Sequence, residues 1–401
     1  MSMLVSGRRL LVISKHLLNS RDAQAQQSRA VVDGLIRAGA HLEVICAAFD
    51  GDEEPVPDGW YAIAARNLPV GTGLADKVAR KVRRNANATR WLSMWSRSAA
   101  RKLKELISTG SYDCIVSLGL PMESHIPVLV ARPRLPWLAY FSDPWPESLL
   151  PPPMSDFALP GLTWLQRRTV REVLLQATAL GFSCREQQQF MARFYPELTR
   201  REWHELPHVA PVRAKQVRNA SGKFRIVHSG SIGRERVCDP LCEALAEFAK
   251  TSAVEIHFAG ALHPRMATSL QEHDLSSHIV MHGWLSKRAA SQLCCEADVL
   301  LLLEASMPDY PFLPSKLADY AATGRPILAL TGAQSPAARL IAEYGAGVAC
   351  RHDRDAILDG LRLLHQNRAL TEHDLYREFA EDEVVRKYGR AIFAAISSYQ
   401  A

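Results

Sequence analysis

FRIVHSG, residues 224–230, is an apolar run that stops on serine and glycine. The same pattern recurs down the chain as VEIHFAG (254–260), HIVMHGW (278–284), DVLLLLEAS (298–306), RPILALTG (325–332) and GAGVAC (345–350). The segments between these runs have helical spacing. Strand–helix alternation of this kind predicts a parallel sheet with helices on both faces. The runs are continuous rather than alternating because strands in such a sheet are covered on both sides.

The alternation extends upstream. Residues 10–14 (LLVIS) read as a strand, 23–37 as a helix stopped at Gly39, and 42–47 as a second strand. The stretch that follows, with Pro55, Pro57 and Pro69, reads as loop. Residues 74–107 read as one long helix or a helix pair, with Val78, Val82, Thr89, Leu92, Trp95, Ala99 and Leu103 on one stripe. Strands are expected at 114–118 and 137–141. PWPESLLPPPMSDFALPG (144–161) holds too many prolines for regular structure. A helix over 162–176 and a strand at 180–183 complete the first half.

The pattern lapses in the polar, basic stretch around residue 210. The expected organisation is an N-terminal α/β domain (1–208), a linker (209–222), a second α/β domain (223–382) and a last helix (383–401) packing back on the first. Open α/β sheets bind ligands at the carboxyl ends of their strands. Two such sheets facing each other across a cleft suit a two-substrate transfer reaction.

Composition is that of an ordinary soluble protein. The chain has 401 residues, 47% apolar and 22% charged, which fits two domains and excludes collagen, coiled coil and disorder as the main content. No apolar run approaches the roughly 18 residues that span a bilayer. The opening MSMLVSGRRLLVIS is too short for a signal-peptide core, so a cytoplasmic location is expected. Eight cysteines without a CxxC or HExxH pattern predict neither a disulfide scaffold nor a zinc site. The net charge of +6 is concentrated: residues 77–104 carry ten Lys or Arg, no Asp or Glu, and Trp91 and Trp95. Such a face suits an anionic membrane surface, with a plain solvated face as the alternative. No nucleic-acid module is present.

Two motifs carry chemistry. HSGSIGR (228–234) lies between a strand and a helix. Gly230 and Gly233 let main-chain N–H groups approach an anion, and Arg234 and Arg236 can pair with phosphate; a plain tight turn is the alternative. PFLPSKLADYAATGRPIL (311–328) opens a helix at Pro314, with Ser315 and Lys316 in its first turn. A lysine there opposes the helix dipole unless an anion accompanies it. Asp319, one turn on, can accept from ribose hydroxyls.

These motifs resemble the nucleotide-binding half of GT-B glycosyltransferases, the retaining family 4 (group 1) enzymes. The matching residues are HSGSIG, the FAG at 258–260, MHGWLSKRAASQLCCEADVLLL from Met281 and, most specifically, LPSKLADYAATGRPILAL. FSDPWP (141–146) and LGFSCREQ (180–187) match more loosely in the first half. The family's two acidic positions, eight apart, fall on Pro311 and Asp319. Its phosphate-binding Arg falls on Ser231 and its Lys near Arg236. The resemblance implies a UDP- or GDP-sugar donor, no required cofactor or metal, and same-face substitution in which a donor phosphate oxygen takes the acceptor proton. The acceptor would be a glycan or lipid-linked sugar of a surface polysaccharide. Main-chain groups of Gly230, Ser231, Ile232 and Gly233 would hold the donor. So would Arg236, Trp284, Leu285, Pro314, Ser315, Leu317 and Asp319. Trp284 would lie beside the base, or simply pack. Lys316, Arg234 and Asp143 would act in the reaction, Asp143 orienting the acceptor hydroxyl unless it only caps the loop before Pro144. His125 reads as a helix-capping or surface residue, or as an acceptor-side group. Ser183 and Arg185 are further acceptor-side or interdomain candidates. A nucleotide-sugar epimerase, or a catalytically silent membrane- or glycan-binding homologue, are the rival readings.

Overall fold

A computed structural model describes residues 4–18, 23–49, 55–65, 73–119, 121–217, 219, 221–367 and 373–400. The chain divides into two compact units, Met1–Val209 with Glu381–Ala401, and Ala210–Ala380.

The first unit is built on seven parallel strands: β1 (Arg9–Ile13), β2 (His41–Phe49), β3 (Trp60–Ala65), β4 (Cys114–Gly119), β5 (Trp137–Phe141), β6 (Ala179–Phe182) and β7 (Trp203–Glu205), in the order 3-2-1-4-5-6-7. Val12 of β1 lies opposite Val44 of β2 and Val116 of β4. All three are fully buried. The terminal helix Glu381–Gln400 buries Val384, Tyr388, Ile392 and Ala395 in this same core. Gly34 allows that approach, since a Cβ there would meet Val385 Cγ2 at 2.5 Å. Arg37 and Glu381 clamp the pair at 2.6 Å.

The second unit has six parallel strands: β8 (Phe224–Ser229), β9 (Val254–Ala259), β10 (Ile279–Gly283), β11 (Val299–Leu303), β12 (Ile327–Leu330) and β13 (Gly347–Cys350), in the order 10-9-8-11-12-13. In each sheet the order reverses at the first strand. The loops after β8 and β11 therefore leave in opposite directions, opening a crevice at the strands' carboxyl ends.

Several expectations change. β3 lies in the stretch read as loop; Pro69 falls outside the described residues. The short edge strand β7 was not anticipated. Residues 74–107 form two helices, Leu74–Asn87 and Met94–Thr109, the second capped by Ser93. Their stripe breaks: Thr89, Trp95, Ala99 and Leu103 are buried, whereas Val78, Val82 and Leu92 are exposed. The expected linker is tied to the second unit over 210–217. There the Ala214 N–H donates to Ala322 O (2.9 Å) and Val217 N–H to Cys295 O (3.1 Å). Residues 144–161 contain only 3-10 turns among their regular elements.

Candidate functional site

The site of the second unit is assembled from the loops after β8 and β11. Gly230 has φ +118°, a conformation glycine alone adopts readily. Its missing side chain makes room for Lys316: a Cβ on Gly230 would meet Lys316 Cε at 2.2 Å and Nζ at 2.6 Å. A second glycine presses the loop from the other side. Gly260 has φ +131°, and a Cβ there would meet the Gly230 carbonyl at 2.6 Å. The Gly230 N–H donates to Ala259 O (2.6 Å) and the Ile232 N–H to Ala261 O (2.9 Å). Two of the four expected main-chain donors thus serve the loop itself, which leaves Ser231 and Gly233 as candidates, with the Glu235 carboxylate lying against Gly233.

The continuation differs from expectation. A 3-10 turn, Arg234–Arg236, follows Gly233, and the α-helix begins only at Asp239. The glycine loop is therefore not directly at an α-helical N-terminus. Arg234 is exposed. Arg236 is half-buried beside Glu235 (3.5 Å), and it is Arg236 whose charge bears on Lys316.

Lys316 opens the short helix Ser315–Ala321, whose flanking Pro314 supplies no side-chain cap. Burial and then Arg236 lower the Lys316 ammonium to about 8. Leu317 and Tyr320 anchor this helix in the core. The Tyr320 hydroxyl accepts from the Ser229 N–H (3.0 Å) and donates to Leu301 O (3.2 Å), joining β8 to β11 just below the site. His228 donates from Nδ1 to Leu301 O (2.9 Å) and leaves Nε2 buried without a partner. Burial and then the Lys316 charge push His228 down to about 3, so the ring is neutral.

One residue was missed. Glu304 follows β11 directly and is 1% exposed. Thr331 donates to its Oε2, while its Oε1 is buried with no partner. Burial raises its carboxyl to about 8, against the pull of Arg236 and Lys316. A lone glutamate ending an apolar run, LLLLE, was the available signal.

The remaining donor-side positions are more open. Trp284 is 81% exposed, so it does not pack. It follows Gly283, whose carbonyl accepts from the Gly260 N–H (2.7 Å). Leu285, Pro314 and Ser315 are half-buried, and Asp319 is exposed. Pro311 is buried. Among the described residues no group of three or more His, Cys, Asp or Glu could hold a metal ion. Among the described residues the cysteines form no disulfide.

In the first unit, Asp143 stands just beyond β5. Burial and then Glu147 raise its carboxyl to about 6, with Arg84 opposing. Glu147 pairs with Arg84. His125 is not on the surface: it is fully buried, and it stands at the N-cap of helix Ile126–Ala131 without a side-chain capping hydrogen bond. Its Nδ1 lies 2.7 Å from Ser117 Oγ, which also accepts from Trp137 Nε1 (2.7 Å). Burial pushes His125 to about 3. Ser183 is fully buried and donates to Gln187 (2.8 Å), so its hydroxyl is held inside. Arg185 is exposed, 3.5 Å from Glu186.

The basic stretch is not one face. Arg84 pairs with Glu147 and Arg90 with Glu172 (2.6 Å), while Lys81 donates to Asp156 O (2.9 Å). Trp95 is buried. The helix Leu74–Asn87 leaves Leu74 80% and Val78 54% exposed, with Lys77 also exposed. Among the described residues no helix is long and apolar enough to cross a membrane.

No family model matches the chain, and no curated protein matches it in sequence. Solved structures do match. A sucrose-phosphate synthase (tll1590) from Thermosynechococcus elongatus superposes with a TM-score of 0.70 at 13% identity, over 96% of this chain and 98% of that one. The chain has the GT-B fold, two Rossmann-like units. The lipopolysaccharide outer core galactosyltransferase WaaB in its apo form matches with a TM-score of 0.62 at 12% identity, over 96% and 99% of the two chains. Anabaena Alr3699/HepE in complex with UDP and glucose matches with a TM-score of 0.59 at 12% identity, over 98% and 97%. At such identities the likeness carries the fold and leaves the reaction to the residues.

Proposed function

We propose that the chain is a retaining glycosyltransferase, related to the family 4 enzymes, that takes its sugar from a nucleoside-diphosphate sugar. One observation carries this: Lys316 lies over Gly230 with Arg236 beside it, two cations held together at the carboxyl ends of β8 and β11, where an open α/β sheet takes its ligand. The Glu235 carboxylate, 3.5 Å from Arg236, offsets only part of this paired charge, and a further anion would be favoured there. Glu304 does not supply that anion at neutral pH, because burial keeps it protonated. A diphosphate would, with the Ser231 and Gly233 N–H groups as further donors.

The chemistry follows from charge. As the glycosidic bond to the donor breaks, negative charge grows on the β-phosphate, and Lys316 and Arg236 stabilise it. A phosphate oxygen of the leaving diphosphate takes the proton of the attacking hydroxyl on the same face. Asp143, partly protonated near pH 6, orients that hydroxyl. Trp284 offers its exposed ring to the base, and Asp319 its carboxylate to the ribose. Arg234 and Arg185 are exposed contacts for outlying groups of the two substrates.

The acceptor is a glycan or lipid-linked sugar in surface-polysaccharide synthesis. The enzyme is cytoplasmic and meets an anionic inner membrane face through the uncovered end of helix Leu74–Asn87. HepE with UDP and glucose and the galactosyltransferase WaaB support the donor class and the polysaccharide setting. Calorimetry of the purified protein against UDP, GDP, ADP, dTDP and CMP tests the donor site. One diphosphate should bind, and Lys316→Ala should lose it. Binding of none would refute the reading.

A further inference from the structure

Glu304 sits where a free carboxylate would work against an anion site. Its main chain is fixed from both sides: its N–H donates to Leu330 O (3.0 Å) and its carbonyl accepts from His352 Nε2 (2.8 Å). Its side chain therefore has little freedom to leave. Thr331 holds one carboxyl oxygen, and the other is buried with no hydrogen-bond partner. The cations acting on it are Arg236 and Lys316. Those two also act on each other, and Glu235 and Asp319 pull on Lys316 from the turn and the helix. His228 beneath and His352 beside the strand end are both held neutral by burial.

A buried carboxylate with one orphan oxygen is costly, and so is a buried ammonium facing a guanidinium. Glu304 and Lys316 thus compete for protons as a coupled pair, and both titrate near pH 8. If Glu304 ionises, its charge acts on Lys316 and the site's net charge falls by one. If a diphosphate enters, its negative charge favours the protonated form of both groups.

We propose that Glu304 sets the charge of the diphosphate site: above neutral pH it takes up a proton from solvent when a nucleoside diphosphate binds, so that Lys316 pairs with phosphate rather than with its own carboxylate. This rests on the donor reading above. It makes Glu304 a positioning residue acting through Lys316, and it makes donor binding weaken in alkali.

Titration calorimetry with UDP and GDP tests it, in two buffers of different ionisation enthalpy between pH 7 and 9. Wild-type protein should take up about one proton in all on binding at pH 8, about half from each group, and lose up to about a hundredfold in affinity from pH 7 to 9, about tenfold per group. Lys316→Arg isolates the carboxyl, since arginine stays charged throughout. That variant should keep the carboxyl's share of the fall, about tenfold, and Lys316→Arg with Glu304→Gln should be flat. Binding with no proton uptake, or a double variant that falls as steeply as the single one, overturns the inference and leaves the donor site standing. Binding of neither nucleotide overturns both. Infrared spectroscopy gives a ligand-free check should the variants misfold. Wild-type protein at pH 7 should show a protonated-carboxyl band that fades towards pH 9, and its absence refutes the proposal.

Discussion

Lys316 occupies the space that a side chain on Gly230 would fill, with its Cε 2.2 Å from the position of the missing Cβ. The glycine is there for the lysine as much as for the turn. Gly230→Ala adds left-handed strain of roughly 1–2 kcal/mol. Its methyl group meets only the flexible end of Lys316, which can swing aside. Stability in urea should therefore fall modestly, while nucleoside-diphosphate affinity falls at least as far as in Lys316→Ala. Unchanged affinity in Gly230→Ala would show that the lysine's present place is not its working place.

Lys316→Ala itself removes a charge-assisted hydrogen bond of about 1.5–3 kcal/mol, or roughly ten- to hundredfold in affinity. Calorimetry at pH 7 measures this, with Arg234→Ala as the comparison. Arg234 is exposed and should cost less than Arg236→Ala, whose charge reaches the site.

Gly260 makes a different prediction. A Cβ there would meet the main chain of Gly230 at 2.6 Å, and main chain cannot rotate away. Gly260→Ala should shift the whole loop, costing about 1–3 kcal/mol as overpacking does. Both urea stability and diphosphate binding should drop. A variant that loses binding alone would mean that the loop yields without cost.

Much of this was legible because the physics is local. Continuous apolar runs ending on Gly230, Gly260 and Gly283 mark buried parallel strands and the loops that follow them. Lys316 at a helix start contradicts the dipole and so points to an anion. β3 was not legible: WYAIAA is only partly buried at a sheet edge, and the prolines before it suggest loop. Glu304 was illegible for another reason. Its meaning depends on Thr331, Arg236 and Lys316, which only folding brings near it. The apolar stripe over 74–107 misled because spacing does not say where a helix leaves the body that covers it.

His125 and His228 predict acid sensitivity. Both are held neutral down to about pH 3, whereas the unfolded chain protonates them near 6.5. The unfolded state then binds more protons, so each contribution is intact above pH 6.5 and shrinks as pH falls towards 3. The slope is about 1.4 kcal/mol per pH unit per histidine. Glu304 acts in the opposite sense between about pH 4.5 and 8, because the folded state keeps its proton. Substitution isolates one group from the other: His125→Gln should flatten the urea-stability profile below pH 6.5 by one histidine's slope. An unchanged profile would mean that His125 is charged in the folded protein.

The uncovered end of helix Leu74–Asn87 gives the last prediction. Leu74 and Val78 lie one turn apart on the face that, further along, buries Asn85 and Thr89. The same stripe is thus core at one end and bare at the other. Lys77 flanks the bare end, while Arg84 and Arg90 are paired with Glu147 and Glu172. A membrane would meet a few cations and two aliphatic side chains, not the ten charges counted in sequence. Partitioning should then depend on both contributions. Sedimentation with phosphatidylglycerol vesicles should exceed that with phosphatidylcholine and weaken with salt, since exposed charges are screened. Leu74→Ser with Val78→Ser removes side chains worth roughly 1.5 kcal/mol or more each when buried, and should lower vesicle binding at least about tenfold. Nucleoside-diphosphate affinity should not move, because these residues belong to the other unit. Equal binding to neutral vesicles, or none lost in the double variant, would remove the membrane from the proposed setting.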